Sequence, residues 1–329
     1  SSLPPHHQAL IMNPMSDLVI PVCQFIWTTA KLLAFTAIDS AKALLPIGVL
    51  PRKSIKGDIA LITGSGSGLG RMMAVEFAKH GADLVLWDIN TAGNEETRAM
   101  LEGSGVRVWT YTVDLSKRAD IAAKAEIVKE EVGRVDILVH NAGVVFGKRL
   151  LDTTEEEIIT TMSVNCLAAI FLTKHFLPGM VDRQHGHILT IASIAGKLGV
   201  SGLVDYCTSK HGVVGFHDSL TDELRVMGAR GVKTSLICPY YIRTGMFDGV
   251  TTHSPRLLPL LDSDYVIKSI METMLTEKVE MYIPRFLYIT TSTRAFFPSR
   301  VNSLMFGYFK IAETMAGFRG RRPVEARQE

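Results

Sequence analysis

Tyr206 and Lys210 stand four residues apart in the run Tyr206-Cys207-Thr208-Ser209-Lys210. On a helix that spacing puts both side chains on one face. A free phenol titrates near ~10 and is a poor base at neutral pH, but a neighbouring ammonium favours the phenolate and brings it into working range. Thirteen residues before the tyrosine, Ser193 ends an apolar run and offers a hydroxyl that can hold a substrate oxygen. A Ser, Tyr and Lys so arranged suit removal of a proton from an alcohol.

A second constellation supplies the partner for that chemistry. The apolar run Ile59–Thr63 leads directly into Gly64-Ser65-Gly66-Ser67-Gly68-Leu69-Gly70, after which a helix is expected. Gly64, Ser67, Gly68, Leu69 and Gly70 can form a tight turn whose backbone N–H groups and following helix N-terminus approach a pyrophosphate. Eighteen residues beyond Gly70, Asp88 closes the run Leu84-Val85-Leu86-Trp87-Asp88, where a carboxylate can accept bonds from adenosine ribose hydroxyls. That charge repels a 2′-phosphate, and no Arg or Lys lies inside the glycine turn to offset it, so NAD is expected over NADP. The positive ring of oxidised nicotinamide would then add to Lys210 in favouring the Tyr206 phenolate, and Asn141-Ala142-Gly143 ends the fourth apolar run. Each motif is weak alone. Their order along the chain is the stronger signal.

These residues need a scaffold that brings strand ends together. Seven strand-like runs are expected at Ile59–Thr63, Asp83–Ile89, Val106–Val113, Val135–His140, Gly186–Ala192, Val232–Cys238 and Val279–Ile283. Several are apolar on both parities, as in strands covered on both faces, and the gaps between them admit crossover helices. Helices are expected at Leu69–His80, Ala119–Val132, Glu155–Met180, Val204–Met227 and Asp264–Thr276. The implied fold is α/β, a Rossmann-like doubly wound parallel sheet with helices on both faces.

The composition, 47% hydrophobic and 21% charged, excludes a disordered chain. A net charge of +2 gives no field to hold nucleic acid. Cys23, Cys166, Cys207 and Cys238 are scattered, without the Cys/His spacing of a zinc site; a reduced compartment, a core role and no metal are expected. The excess of apolar residues lies at the ends. Leu18–Ile38 is long enough to cross a bilayer, though interrupted by Pro21 and Lys31. Residues 1–17 carry no Lys or Arg while Arg52, Lys53 and Lys56 follow, which orients the rest of the chain toward the cytosol if this is a retained anchor. A helix lying on the membrane surface or against the domain is the alternative. From residue 286 on, Phe286, Phe296, Phe297, Phe306, Tyr308 and Phe309 alternate with cationic residues such as Arg294, Arg300 and Lys310, which suits either a lipid headgroup interface or packing and oligomer contact. The organisation expected is an anchor segment over 1–50, a catalytic domain over 51–285, and an aromatic, basic segment over 286–329.

Over roughly residues 56–285 the chain resembles the short-chain dehydrogenase/reductase family, on TGSGSGLG at 63–70, NAG at 141–143, Ser193, YCTSK at 206–210 and Pro239-Tyr240-Tyr241-Ile242-Arg243-Thr244. The resemblance implies a catalytic set of Asn165, Ser193, Tyr206 and Lys210, with Asn165 holding a water in a proton relay from the lysine. It also implies Asp114 and Leu115 near the adenine, Asn141, Ala142, Gly143, Tyr206 and Lys210 along the cofactor, Pro239 beside it, and Ile242 and Thr244 at the nicotinamide carboxamide. Two departures stand out: His140 where an Asn usually precedes NAG, and Tyr240 where a Gly usually follows the Pro. More narrowly, Val85–Asn90, Thr173–Pro178 and Thr244–Phe247 look like the membrane-associated branch of retinol dehydrogenases, the epidermal type included, and 17-beta-hydroxysteroid dehydrogenases of the 11 and 13 types. That branch implies endoplasmic reticulum or lipid-droplet membranes and a homodimer.

The segment Gly245–Leu261, with Met246, Phe247, Val250, Leu257, Leu258, Leu260 and Leu261, is expected to wall an apolar pocket stiffened by Pro255 and Pro259. A bulky lipid alcohol fits it better than a sugar. The favoured reading is NAD-dependent oxidation of all-trans-retinol to retinal, with oxidation of a 17-beta-hydroxysteroid such as estradiol as the alternative and a non-catalytic lipid-droplet scaffold as a third.

Overall fold

The computed structural model of the protein describes residues 14–44 and 48–320. Two compact units divide the chain, Ser1–Pro51 and Arg52–Glu329, so the residues from 286 on belong to the same unit as the sheet. Among the described residues of the first unit one helix, α1 (Pro14–Leu44), takes in the expected anchor with Pro21 inside it. At ~1.5 Å per residue it is about 46 Å long, and Phe25, Ile26, Trp27, Leu32, Leu33 and Phe35 are exposed on it.

The second unit is built on seven parallel strands, β1 (Ile59–Thr63), β2 (Asp83–Asp88), β3 (Val108–Thr112), β4 (Ile137–His140), β5 (Gly186–Ile191), β6 (Val232–Pro239) and β7 (Glu280–Ile283), in the order β3-β2-β1-β4-β5-β6-β7. β1, β4 and β5 are buried at every position, as both-parity apolar runs require, whereas the edge strand β3 is only partly covered. Two apolar clusters, one on each face, fill the space between sheet and helices. The helices are α2 (Gly68–Lys79), α3 (Thr91–Ala99), α4 (Arg118–Glu131), α5 (Glu155–Met162), α6 (Ala168–Asp182), α7 (Val204–Val226), α8 (Ser263–Leu275), α9 (Leu287–Phe296) and α10 (Ser299–Tyr308). The sheet order reverses between β1 and β4, so the two crossovers leaving them diverge and open a crevice at their carboxyl ends.

Three features depart from the expected elements. The helix expected at Glu155–Met180 is not continuous: a π turn over Ser163–Leu167 separates α5 from α6. α3 carries no apolar stripe, because the residues it buries are Gly93, Asn94 and Thr97. Its start is set instead by the Asn90 side chain, which accepts from Gly93 N at 3.1 Å. Finally, the C-terminal segment forms α9 and α10. Leu287, Thr290, Phe309, Thr314 and Met315 are buried, while Phe296, Leu304 and Tyr308 stay exposed, so both expectations for this segment have residues that fit them.

Candidate active site

The glycine turn follows β1, and its glycines are required by close backbone approach. A Cβ on Gly70 would sit 2.0 Å from Gly64 O, and one on Gly64 would sit 2.9 Å from Ala142 Cα. Gly64 and Gly68 adopt positive φ, +69° and +52°. Ser67 precedes α2 with no side-chain cap, and the first turn of α2 holds no acidic residue, which leaves its N–H groups to an anionic ligand.

Polar contacts that carry no sequence motif hold this turn from behind. Ser65 Oγ donates to Asn94 Oδ1 at 2.7 Å, and Thr97 Oγ1 donates to Ser65 O at 2.8 Å. Arg71 donates to Gly66 O and, at 2.9 Å, to Gly93 O. Asp88 accepts from Gly66 N and Asn90 N, each at 2.8 Å, so the acid at the end of β2 braces the turn as well as facing the cleft. On the other side Asn141 Nδ2 donates to Thr63 O at 2.9 Å, and Thr63 Oγ1 accepts from Asn141 N and Ala142 N. Asp114 lies at the outer end. Its carboxylate accepts from Ser116 Oγ at 2.6 Å and pairs with Lys117 at 3.0 Å, which holds it below the usual carboxylate range.

One open cleft of about 1480 Å³ runs along the carboxyl ends of these strands. Gly64, Ser67, Gly68, Leu69, Gly70, Asp88, Asp114, Leu115, Asn141, Ala142, Gly143, Ser193, Tyr206, Lys210, Pro239, Ile242 and Thr244 all line it. Sequence reasoning missed Ile89, Val113, Val144, Val164 and Tyr240 on the same walls. Each is next in the chain to a residue that it did place there or in the catalytic set, and Tyr240 stands within the Pro239–Thr244 motif without having been assigned to the wall.

Asn165 is the one expected site residue that does not line the cleft. It sits in the π turn, buried, with its amide committed: Nδ2 donates to Val144 O at 2.9 Å and Ser209 Oγ at 3.1 Å, and Oδ1 accepts from Val144 N at 2.8 Å. Its side chain thereby fixes the loop after NAG against α7.

Tyr206 and Lys210 share one buried face of α7. Lys210 Nζ donates to Ile191 O at 3.0 Å and lies 5.7 Å from the centre of the Tyr206 ring. Burial pulls the lysine down to about 8 and pushes the phenol above its ordinary value, with the nearby Ser193 hydroxyl pulling the phenol back. The expected lowering of Tyr206 is therefore not produced by Lys210 in the protein alone. The ammonium lies over the ring rather than at the hydroxyl, and desolvation outweighs it. Ser193 Oγ accepts from Ala195 N at 3.1 Å, which holds its side chain at the cleft.

Beyond Ser193 and Tyr206 lies an apolar pocket. Phe247 and Leu258 of the expected substrate segment line it, and Met246 lines the main cleft. Val250 and Leu261 are core residues, and Leu257 is exposed, so the segment supplies less of the wall than expected. Most of the remainder comes from Ile194, Ala195, Leu198, Val200 and Leu203, from Tyr240 and Tyr241, and from the C-terminal segment, where Leu287, Met305, Phe306 and Phe309 are among the lining residues. The same segment ties down the loop after β6, with Thr251 N donating to Thr314 O and Arg319 N to Asp248 O.

Residues 58–255, which carry the glycine turn, the strand-end acid and the Ser, Tyr and Lys that line one cleft, match a known family model, that of the short chain dehydrogenases. The chain belongs to the short-chain dehydrogenase family. It is 46% identical over 277 residues to epidermal retinol dehydrogenase 2 of Homo sapiens, covering 84% of this chain and 89% of that protein. It is 41% identical to retinol dehydrogenase 10 of Homo sapiens, covering 92% and 95%, and 44% identical to 17-beta-hydroxysteroid dehydrogenase 13 of Homo sapiens, covering 77% and 84%. Among solved structures, a short-chain dehydrogenase/reductase from Burkholderia phymatum in complex with NAD superposes with a TM-score of 0.66 at 27% identity, covering 74% of this chain and 94% of that one. A metagenomic short-chain oxidoreductase in complex with NADP gives 0.59 at 28% identity, covering 70% and 98%. This dehydrogenase is an oxidoreductase that works with a nicotinamide cofactor, and the uncapped helix and glycine cradle fit the diphosphate of such a molecule.

Proposed function

We propose that the protein oxidises a lipophilic alcohol with NAD, all-trans-retinol to retinal being the favoured reaction. The observation that carries this reading is the junction at Ser193 and Tyr206, where the cleft lined by the glycine turn and Asp88 meets an apolar chamber. A molecule with one hydroxyl on a large hydrocarbon meets both requirements at once. The two retinol dehydrogenases among the relatives favour a retinoid. The 17-beta-hydroxysteroid dehydrogenase keeps estradiol oxidation as the second reading.

In this mechanism the Ser193 hydroxyl holds the substrate oxygen, and Tyr206, as phenolate, accepts the alcohol proton. Lys210 keeps positive charge beside the phenolate, and Asn165 fixes the loop and helix that carry the site. Bound oxidised nicotinamide would supply the hydride acceptor and further positive charge. Gly64, Ser67, Gly68, Leu69 and Gly70 would cradle the diphosphate and Asp88 the adenosine ribose. Asp114 and Leu115 would flank the adenine, and Asn141, Ala142, Gly143, Pro239, Ile242 and Thr244 would border the nicotinamide half. NAD is favoured over NADP because the Asp88 carboxylate lines the cleft where it would repel a 2′-phosphate, and Arg71, the cation that directly follows the glycine turn, is turned onto Gly66, Gly93 and Glu96.

The exposed apolar residues of α1 and the exposed aromatics of α9 and α10 suit attachment to endoplasmic reticulum or lipid-droplet membranes, with the catalytic unit in the cytosol and the lipid substrate delivered from the bilayer. The test is turnover of retinol and estradiol, each with NAD and NADP, by full-length protein in liposomes. Retinal formation with NAD is expected, and Tyr206→Phe should lower it by about 10²–10⁴-fold while cofactor binding persists. Full turnover in Tyr206→Phe would remove the proposed base, and faster estradiol turnover would move the reading to the steroid.

A further inference from the structure

After α10 the chain continues over residues 311–320 as a strap laid on the loop that follows β6. Thr251 N donates to Thr314 O at 3.2 Å, and the Tyr241 and Thr314 hydroxyls share a hydrogen bond at 3.1 Å. Arg319 N donates to Asp248 O at 2.8 Å, and the Arg319 guanidinium lies 3.7 Å from the Asp248 carboxylate. Between these tethers the two backbones touch at glycines: a Cβ on Gly317 would stand 2.7 Å from Gly249 O, and one on Gly249 would collide with Gly317 O. Directional bonds on both sides of Gly317 fix the strap in one place on the loop.

Phe318 is the one aromatic residue of the strap. Its half-buried ring fills the space that a Cβ on Gly147 would need, in the loop after β4, and its centre lies 6.2 Å from that of Phe247, in the loop after β6. Phe247 in turn meets Tyr206 edge to face, ring centres 5.7 Å apart. The contacts therefore run from Gly147 through Phe318 and Phe247 to the proposed base. Phe318 stands outside the walls of both the cleft and the apolar pocket, whereas Ser193, Tyr206, Tyr240 and Phe247 line both. With Ser193 and Tyr206 on the substrate oxygen, Tyr240 and Phe247 are left to bound the substituents of the carbinol carbon.

We propose that Phe318 is a specificity-determining residue that, through Phe247, narrows the junction at Tyr206 so that the site takes a primary carbinol and rejects a secondary one. The inference rests on the alcohol-oxidation reading above and adds to it the class of carbinol. A primary carbinol carbon carries two hydrogens and one chain; a secondary one carries a second carbon in place of a hydrogen. One hydrogen must face the nicotinamide for hydride transfer, and the chain must enter the apolar pocket. The extra carbon is then forced sideways, against the rings that bound the junction. A ring on a loop swings aside unless something stands behind it, and a wall that yields discriminates poorly. Phe318 stands behind Phe247, and the Gly317 and Arg319 backbone contacts on either side hold it there. Against a stiff wall one surplus methyl costs about 10–200-fold in kcat/KM.

The experiment measures kcat/KM with NAD for full-length protein in liposomes on two alcohols, all-trans-retinol and its analogue with one methyl added at the carbinol carbon. The pair shares its hydrocarbon, so the ratio reads the carbinol alone. Wild type should prefer retinol by about tenfold or more. Phe318→Ala should shrink that preference about tenfold by speeding the methylated alcohol, with the KM for NAD within about twofold of wild type. Phe318→Leu, gentler on the fold, should move the ratio the same way by less, and Phe318→Tyr, which keeps the ring, should leave it unchanged. In a Phe247→Ala background the preference should already be small, and Phe318→Ala should change it no further, because the two rings act as a unit. The proposal is overturned if wild type takes both alcohols equally well, if Phe318→Ala and Phe318→Leu keep its ratio, or if the effect of Phe318→Ala is the same with and without Phe247. A wild type active on estradiol and on neither retinoid overturns the proposal and leaves the oxidation reading standing; one that oxidises no alcohol removes both.

Discussion

The two ends of the cleft are built by different means. The cofactor end is backbone: glycines packed so closely that a Cβ on Gly70 meets Gly64 O at 2.0 Å, an uncapped helix N-terminus, and a carboxylate bonded to the turn itself. The substrate end is side chain. Its wall gathers residues from the loop after β5, the loop after β6 and the C-terminal helices, with Phe247 in edge contact with Tyr206 and Tyr241. Backbone geometry tolerates few sequences and gives one binding mode, whereas a side-chain wall tolerates many and tunes selectivity in small steps. The contrast predicts that mutations at the cofactor end act all or none, and that those at the substrate end act by degree.

The largest effect is expected from Gly70→Ala. The added methyl must displace backbone, so the turn opens at a cost of about 1–3 kcal/mol, and dinucleotide binding measured by calorimetry should be lost. Retained binding would break the contrast at its strongest point. Asp88→Ser, with an Arg introduced after it, should move preference from NAD toward NADP by about 10-fold or more, as a repulsive carboxylate is exchanged for a cation. It should also lower the melting temperature, since Gly66 N and Asn90 N lose their acceptor. Unchanged cofactor selectivity would leave Asp88 as a brace only.

At the other end, Met305→Phe adds bulk to the far wall of the apolar cavity. It should lower kcat/KM for the long polyene of retinol about tenfold relative to the more compact estradiol, with the KM for NAD unchanged. An equal loss for both alcohols would mean that α10 does not shape selectivity. The smallest effect concerns pH. His140 is buried with its pKa pulled to about 3 by desolvation, so the unfolded chain binds more protons than the folded one from about pH 6.5 down to 3. Stability is complete above that window and is lost as pH falls through it. Relative to its own stability at pH 7, His140→Asn should lose roughly 1–2 kcal/mol less at pH 5, seen as an acid-unfolding midpoint at lower pH by circular dichroism. An unmoved midpoint would assign acid sensitivity to other groups, of which buried His187, also pulled down, is the first.

The sheet was legible to within a residue or two at each strand because both-parity apolar runs have few other uses, and every expected cofactor contact lines the cleft because glycine spacing encodes backbone approach directly. α3 was not legible, since Asn94 and Thr97 are buried by hydrogen bonding rather than by apolar packing and leave no periodic signal. The π turn at Asn165 was hidden for a related reason: one extra residue in a helical turn changes no residue type.

The linear order of residues thus determined the parallel sheet, the glycine cradle, the strand-end acid and the Tyr206 and Lys210 pair, because each depends on spacing within one strand, turn or helix. Only the tertiary structure decided that α9 and α10 close the apolar cavity, that Leu257 faces out and that Asn165 is committed to Val144. Those facts depend on which distant segments meet, and burial at such meetings sets the protonation energies that no local pattern carries.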